Sequence, residues 1–368
     1  GINLLDPGKT PHQNIQFLLV LTCVLKAVDR HAELLRESAA DVGNDHRLGA
    51  NEAPPAIISV YLGAQLEDVL TQLVNTGSAT SSIKREKLDT GVRALPDFAK
   101  DATDRNRTAP LAFTGNKFEF RMVGSRDSVA ASTIVLNTIV AEAFSEACDV
   151  LESAENFDLA LHDLIKKYAA DHQRILFSGN GYSQEWVEEA ARRGLPNIRT
   201  MVEAIPHLVT DKTVNLFEKF GVFTRAELES RAEINYETYA KAVNIEARAM
   251  IDIASKHIIP AVIKYVTSLA TSINQVKEAC GDVSVDVQQE LLAESSKLLT
   301  DTRNALKELT LKADLAAAMS HGKEKAEFIL YEVVPVMESL RKPVDELEMI
   351  VNKEMWPMPS YGDLLFEV

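Results

Sequence analysis

With 368 residues, of which 46% are hydrophobic and 25% charged, the chain has material for a full core and lacks the composition of a disordered segment. Its formal net charge of −15 disfavours non-specific binding to nucleic acid or to an anionic membrane surface. The strongest apolar run, Ile15 to Leu25, is about half the roughly 20 residues that a membrane span needs. Pro11 stands where a first helical position tolerates proline, and the periodicity predicts a helix from Ile15 to about Leu35. Asp41 to Pro55, with two glycines and a Pro-Pro pair, breaks that period and reads as loop. A second helix is expected from about Ala56 to Val74, and Thr76 to Asp104 reads as an irregular, Ser/Thr-rich surface excursion. Lys117 to Val123 alternates as a strand, with Phe118, Phe120 and Met122 on one face and Glu119 and Arg121 on the other.

Helices are expected again from about Val129 to Leu151 and from Leu159 to Ala170. Ser183 caps a short helix that stops at Arg192-Arg193-Gly194, and Gly179-Asn180-Gly181 reads as a turn, since no P-loop spacing follows it. Thr224 and Glu227 form a capping box that opens a nearly continuous helical region reaching about Ile350, kinked at Pro260 and Pro335. Within it, apolar pairs recur every seven residues at Leu291/Leu292, Leu298/Leu299 and Ala305/Leu306, the spacing of antiparallel helix packing. The aromatic, Pro-rich tail from Trp356 to Val368 is expected to dock on a surface. Cys23, Cys148 and Cys280 all fall in helical patterns and read as buried thiols of a reducing cytosol. The opening residues carry no basic signal-peptide region and no initiator methionine, so the sequence reads as the C-terminal part of a longer cytoplasmic protein.

Three segments place charge where loops and strands usually economise on it. Asn44-Asp45-His46-Arg47-Leu48-Gly49-Ala50-Asn51-Glu52-Ala53-Pro54-Pro55 offers Arg47 and Glu52 on a loop stiffened by glycine and proline. One cation and one carboxylate on a rigid loop suit recognition of a zwitterion or proton transfer at a charged centre; a solvated surface ion pair accounts for the same residues. Asp104-Arg105-Asn106-Arg107-Thr108 pairs two guanidinium groups that could clamp a polyphosphate or line a basic turn. Glu119 beside Arg121 could bind a divalent metal and the anion it carries, or form an exposed same-face ion pair.

Taken in order, these segments resemble the C-terminal half of a glutamine synthetase, the type III family above all. The 44–55 segment resembles the Arg-Leu-x-x-Gly-Tyr-Glu-Ala-Pro loop of the type I enzymes, Arg105-Asn106-Arg107-Thr108-Ala109 their Arg-Asn-Arg-Ser-Ala segment, and Phe118-Glu119-Phe120-Arg121 their Glu-x-Arg strand. Asn3-Leu4-Leu5 resembles the stretch after the family's metal-binding histidine, and the ending Trp356-Pro357-Met358-Pro359-Ser360-Tyr361-Gly362-Asp363-Leu364-Leu365-Phe366 resembles type III endings. Two departures stand out: Pro110-Leu111-Ala112 replaces a further arginine, and Thr114 stands where type I enzymes have a lysine, with Lys117 close by.

The resemblance implies a predominantly helical α+β fold: the C-terminal part of a catalytic domain with few strands over 1–210, then a helical assembly extension over 211–368 that ends in the docking tail 356–368. It implies ATP-dependent ligation of ammonia to L-glutamate through a γ-glutamyl phosphate, with Mg2+ or Mn2+, in a homo-oligomeric ring, a dodecamer of two hexamers. Arg47 would hold the glutamate carboxylate, and Glu52 would sit on a closing flap and take a proton from ammonium. Arg107, with Arg105, would contact ATP phosphates, Glu119 would be a metal ligand, and Arg121 would face substrate and phosphoryl group. The family's histidine and other metal glutamates would lie upstream of residue 1, leaving this chain inactive alone. The competing reading is a non-catalytic helical oligomerisation module; an ATP-grasp ligase would need a Gly-rich phosphate loop that the sequence lacks.

Overall fold

The opening apolar run folds as α1 (Ile15–Arg30), capped by Asn14, whose side chain accepts the Phe17 N–H at 3.1 Å. The structure is a computed structural model and describes residues 1–50, 52–82, 87–88, 98–99 and 108–366. The chain divides into two compact units, Gly1–Ala232 and Glu233–Val368.

In the first unit α1 is followed by α2 (Ala32–Glu37) and α3 (Val42–Arg47), then β1 (Val60–Tyr61), α4 (Ala64–Thr76), β2 (Lys87–Leu88), β3 (Phe98–Ala99), β4 (Leu111–Phe113) and β5 (Phe118–Phe120). Then come α5 (Ala130–Glu152), α6 (Phe157–Asp171), α7 (Gln184–Arg192), α8 (Met201–Ala204) and α9 (Asp211–Lys219). Helix α1 buries Phe17, Leu18, Leu21, Cys23, Leu25 and Val28 and packs against α5 and α6. Its C-terminal half adds polar ties to the same helices and the segment beyond them. Lys26 meets Glu146 and donates to the Tyr168 hydroxyl at 2.8 Å, and buried Asp29 holds His172 at 2.7 Å and Arg174 at 2.8 Å. Buried His31 pairs with Glu142 at 2.7 Å.

Strands β1, β4 and β5 form one sheet with β4 in the middle, parallel to β1 (Val60 opposite Leu111) and antiparallel to β5 (Ala112 opposite Glu119). Phe113 links layers, with its ring 5.9 Å from Phe17 on α1 and 5.2 Å from Phe118 on β5. The small β2–β3 pair is antiparallel.

Several expectations need correction. The 41–55 stretch is not all loop: Asp41 accepts the Gly43 N–H at 2.7 Å and so starts the short helix α3. The helix expected from Ala56 begins only at Ala64, because the apolar run before it pairs instead as β1, with the Leu111 N–H donating to Ser59 and the Phe177 N–H to Val60. Cys23 is buried, and burial pushes its thiol up to about 12, but Cys148 and Cys280 are exposed. Cys280 terminates its helix and Cys148 lies on the open side of α5, positions that helical periodicity does not distinguish. The 76–104 excursion falls mostly outside the described residues.

Helix α10 (Arg225–Ile253) starts at the expected Thr224–Glu227 capping box, the Thr224 N–H donating to Glu227 at 2.8 Å and the Glu227 N–H to the Thr224 hydroxyl at 3.4 Å. The second unit continues with α11 (Ile259–Ala279), α12 (Asp286–Ala318), α13 (Lys323–Phe328), α14 (Val334–Ile350) and α15 (Tyr361–Phe366). The kinks expected at Pro260 and Pro335 take the form of π turns just before them, Ala254–Ile258 and Ile329–Val333, where a proline without N–H cannot continue the regular ladder. Helix α12 packs on α11 and α14 and buries Ser295, Leu298, Thr302, Leu306 and Leu309, a three-and-four spacing along one face. A core of Ile258, Val262, Tyr265, Leu298, Leu347 and Val351 receives Trp356 from the tail, whose indole also donates to Glu348 at 2.9 Å. Further along the tail Asp363 pairs with Lys353 at 2.7 Å, while Tyr361, Leu364, Leu365 and Phe366 on α15 are exposed. Among the described residues no helix is long and apolar enough to cross a membrane.

Candidate active site

Asn44, on α3, organises the site from beneath. It is buried, donates its amide to Ala39 O at 2.7 Å and Met122 O at 2.9 Å, and accepts from the Arg47 guanidinium at 3.2 Å. Arg47 ends the same helix and also donates to Met122 O at 3.2 Å, to Arg121 O at 3.4 Å and, through Nε, to Glu52 at 3.3 Å. The backbone after Arg47 reverses at Gly49, whose φ of +75° is a left-handed conformation that glycine takes without a Cβ clash. The Gly49 N–H is shared by Ala53 O and Pro54 O, both at 3.1 Å, and Leu48 bridges to Ala53, so the two ends of the loop are tied together. Glu52 projects from it with its side chain 76% exposed.

On the facing strand, Glu119 receives the Arg121 guanidinium at 3.1 Å and the Thr114 hydroxyl at 3.2 Å, with Lys117 at 3.7 Å. The Arg121 hydrogen bond, with Thr114 and Lys117 adding to it, holds the Glu119 carboxyl below the usual carboxylate range, so it is ionised at neutral pH. The alternation expected from the sequence is therefore realised, and Thr114 and Lys117 both reach the carboxylate. Arg47, Glu52, Pro54, Arg121, Met122 and Tyr182 border one cavity of about 100 Å3. The structure thus brings Arg47, Glu52 and Arg121 together, with Glu119 adjacent; Arg105 and Arg107 lie outside the described residues. Sequence reasoning passed over Asn44 and Tyr182. Asn44 lies within the 44–55 motif, but nothing local signals its partners across the fold.

Asp45 faces away from the cavity. Its carboxylate accepts the Met201 N–H at 2.8 and 3.0 Å at the start of α8 and stands 4.0 Å from buried Arg36. Burial pushes Asp45 up to about 7 against the pull of both partners. A carboxyl whose folded pKa exceeds its unfolded value adds stability that is full below about 4 and is lost as pH rises through about 7. Asp45→Asn keeps an acceptor for Met201 without the titration. It is expected to flatten the pH dependence of stability between pH 5 and 8, a difference on the order of a few kcal/mol across the full window. Urea midpoints measured over that range would test this, and parallel wild-type and variant curves would contradict it.

The C-terminal end of α3, the loop that follows it and an edge strand thus place Arg47, Glu52 and Arg121 around a small cavity with Glu119 adjacent, a charged arrangement able to meet an anionic group. The chain matches the family described as Glutamine synthetase C-terminal domain over residues 160–277. Over its whole length it is 40% identical to the Type-3 glutamine synthetase of Dictyostelium discoideum. It is 38% identical to the glutamine synthetases of Bacteroides fragilis (strain YCH46) and Butyrivibrio fibrisolvens. It spans about half the length of these relatives: 51%, 52% and 52%. Of the residues that border the cavity Tyr182 alone falls within the matched segment, so the likeness of the others to these relatives rests on the whole-chain similarity.

A hard divalent cation such as Mg2+ takes about six oxygen ligands, waters and phosphate oxygens among them. Glu119, ionised and partly exposed, fits as one of them, but no cluster of three or more His, Cys, Asp or Glu able to hold a metal occurs among the described residues. The remaining ligands would have to come from beyond these residues.

Proposed function

We propose that this chain supplies one wall of a glutamine synthetase site, which ligates ammonia to L-glutamate at the expense of ATP through a γ-glutamyl phosphate. The observation that carries the reading is the convergence on one cavity of Arg47 at the end of α3, Glu52 on the loop after it and Arg121 just beyond β5. A carboxylate is a poor electrophile, so it must be activated before ammonia can attack. Arg47, fixed by Asn44 and Met122 O, is oriented to meet the substrate carboxylate, and Arg121 presents a second cation to the phosphoryl group. Glu52, exposed at the cavity, attracts ammonium and removes its proton. Mg2+ or Mn2+, when bound, neutralises charge on the phosphoryl group in flight, and Glu119 would be one of its ligands. Arg105 and Arg107 are assigned to ATP phosphates on the resemblance alone.

The second unit fits assembly into a homo-oligomer: α15 exposes Tyr361, Leu364, Leu365 and Phe366, a run of apolar side chains that a partner surface would cover.

The protein extended to the length of its relatives is expected to form glutamine from glutamate, ammonium and ATP; failure to do so would sink this reading. In that protein Glu119→Gln should weaken Mn2+ binding by calorimetry at least as much as the roughly 10–100-fold that outer-shell changes cost. Unchanged affinity would remove Glu119 from the ligand set.

A further inference from the structure

We propose that Tyr182 is a positioning residue that latches the Glu52 loop, and that the Gly179–Tyr182 turn is built to hold it in place. The proposal rests on the reading of Glu52 as the ammonium base and adds the device that sets its position. The Tyr182 phenol donates to the main-chain carbonyl of Glu52 at 3.1 Å, across 130 residues of sequence. Its contact is therefore with the backbone that carries the carboxylate, and the carboxylate itself remains turned toward Arg47 at 3.3 Å.

The turn is anchored on every side except the one facing the loop. Asn180 Oδ1 accepts the Tyr182 N–H at 3.0 Å, and the Gly181 N–H donates to the Thr108 hydroxyl at 2.9 Å. A Cβ on Gly181 would lie 2.9 Å from Thr108 O, so only glycine permits this approach. Ser183 then caps α7, receiving the Trp186 N–H, and Trp186 stacks on Phe177 at 3.7 Å with the rings 16° apart. Phe177 in turn donates its N–H to Val60 O at 3.0 Å, which ties the turn to the central sheet. The loop on the other side is closed on itself through Gly49, Ala53 and Pro54, with the Glu52 side chain exposed. A rigid frame thus reaches a closed but projecting loop through the phenol–carbonyl hydrogen bond, and Tyr182 itself borders the cavity. Because the bond is made to main chain, it sets the height of residue 52 whatever its side chain does, and its release lets the loop lift without disturbing α7.

The test compares the wild-type chain with Tyr182→Phe, which removes only the hydroxyl from a half-exposed ring, and with Gly181→Ala, which displaces the turn. Hydrogen exchange of peptides covering Leu48–Ala53 should accelerate about five-fold in both variants, as loss of one hydrogen bond implies, while α7 exchanges as before. In the extended enzyme Tyr182→Phe should raise the KM for ammonium about as much and leave kcat at saturating ammonium near wild type. Unchanged loop exchange would overturn the latch, and faster exchange with an unaltered ammonium KM would overturn its positioning role. A wild-type enzyme that forms no glutamine would instead count against the functional reading alone, since the exchange comparison needs no turnover.

Discussion

Glu52→Gln is expected to cut glutamine formation by about 10²-fold or more and to raise the ammonium concentration required, while ATP cleavage falls much less. At neutral pH ammonia is almost entirely ammonium, so a site that uses it as a nucleophile must attract the cation and then strip a proton. The Glu52 carboxylate is exposed on a loop whose ends are tied through Gly49, and among the described residues Arg47 is the cation bonded to it. It is available both as counter-charge and as base. Glutamine at this position keeps the volume and can still accept from Arg47 Nε, so the loop should stay closed. In the function proposed above, activation of glutamate is assigned to other groups, Arg121 and the metal ligands, and should be spared. Following ATP cleavage and glutamine formation separately in the extended protein decides the matter. If both fall together with no change in the ammonium requirement, Glu52 serves only to hold the loop.

The second large effect is expected at Asn44→Ala, a buried residue that does not line the cavity. Its amide satisfies Ala39 O and Met122 O and its carbonyl receives Arg47, all in a buried setting. Alanine takes a donor from Ala39 O, leaves Met122 O to the Arg47 guanidinium, removes the Arg47 acceptor and opens a small void. The combined cost is roughly 2–4 kcal/mol, since each buried group left unsatisfied costs about 1–3 kcal/mol and some find water. Loss of this hub also frees Arg47, so the extended enzyme should show a raised KM for glutamate beyond what stability explains. Denaturant midpoints on the chain itself test the first part; a change within about 0.5 kcal/mol, the range of neutral surface substitutions, would refute it.

Much of this protein could be read locally. Caps at Ser183 and Thr224, the strand alternation at Phe118–Arg121, the long helices beyond Arg225 and their breaks before Pro260 and Pro335 follow from rules spanning a few residues, and the structure has each of them. The motifs around Arg47, Glu52, Glu119 and Arg121 were equally legible, because glycine, proline and charge in a short run restrict what a loop or strand can do. Tertiary structure decided what such rules leave open. Ile57 to Leu62 is apolar at nearly every position and suits either period, so it was β4 and Phe177, lying beside it, that made it a strand. The exposure of Cys148 and Cys280 depended on which helix faces found a neighbour. Only the folded chain showed that Arg47 is oriented by Met122 O and Arg121 O, and that Tyr182 reaches Glu52. Those partners lie 74 to 130 residues apart, and a hydrogen bond over that distance leaves no periodicity, spacing or composition in the sequence by which it could be found.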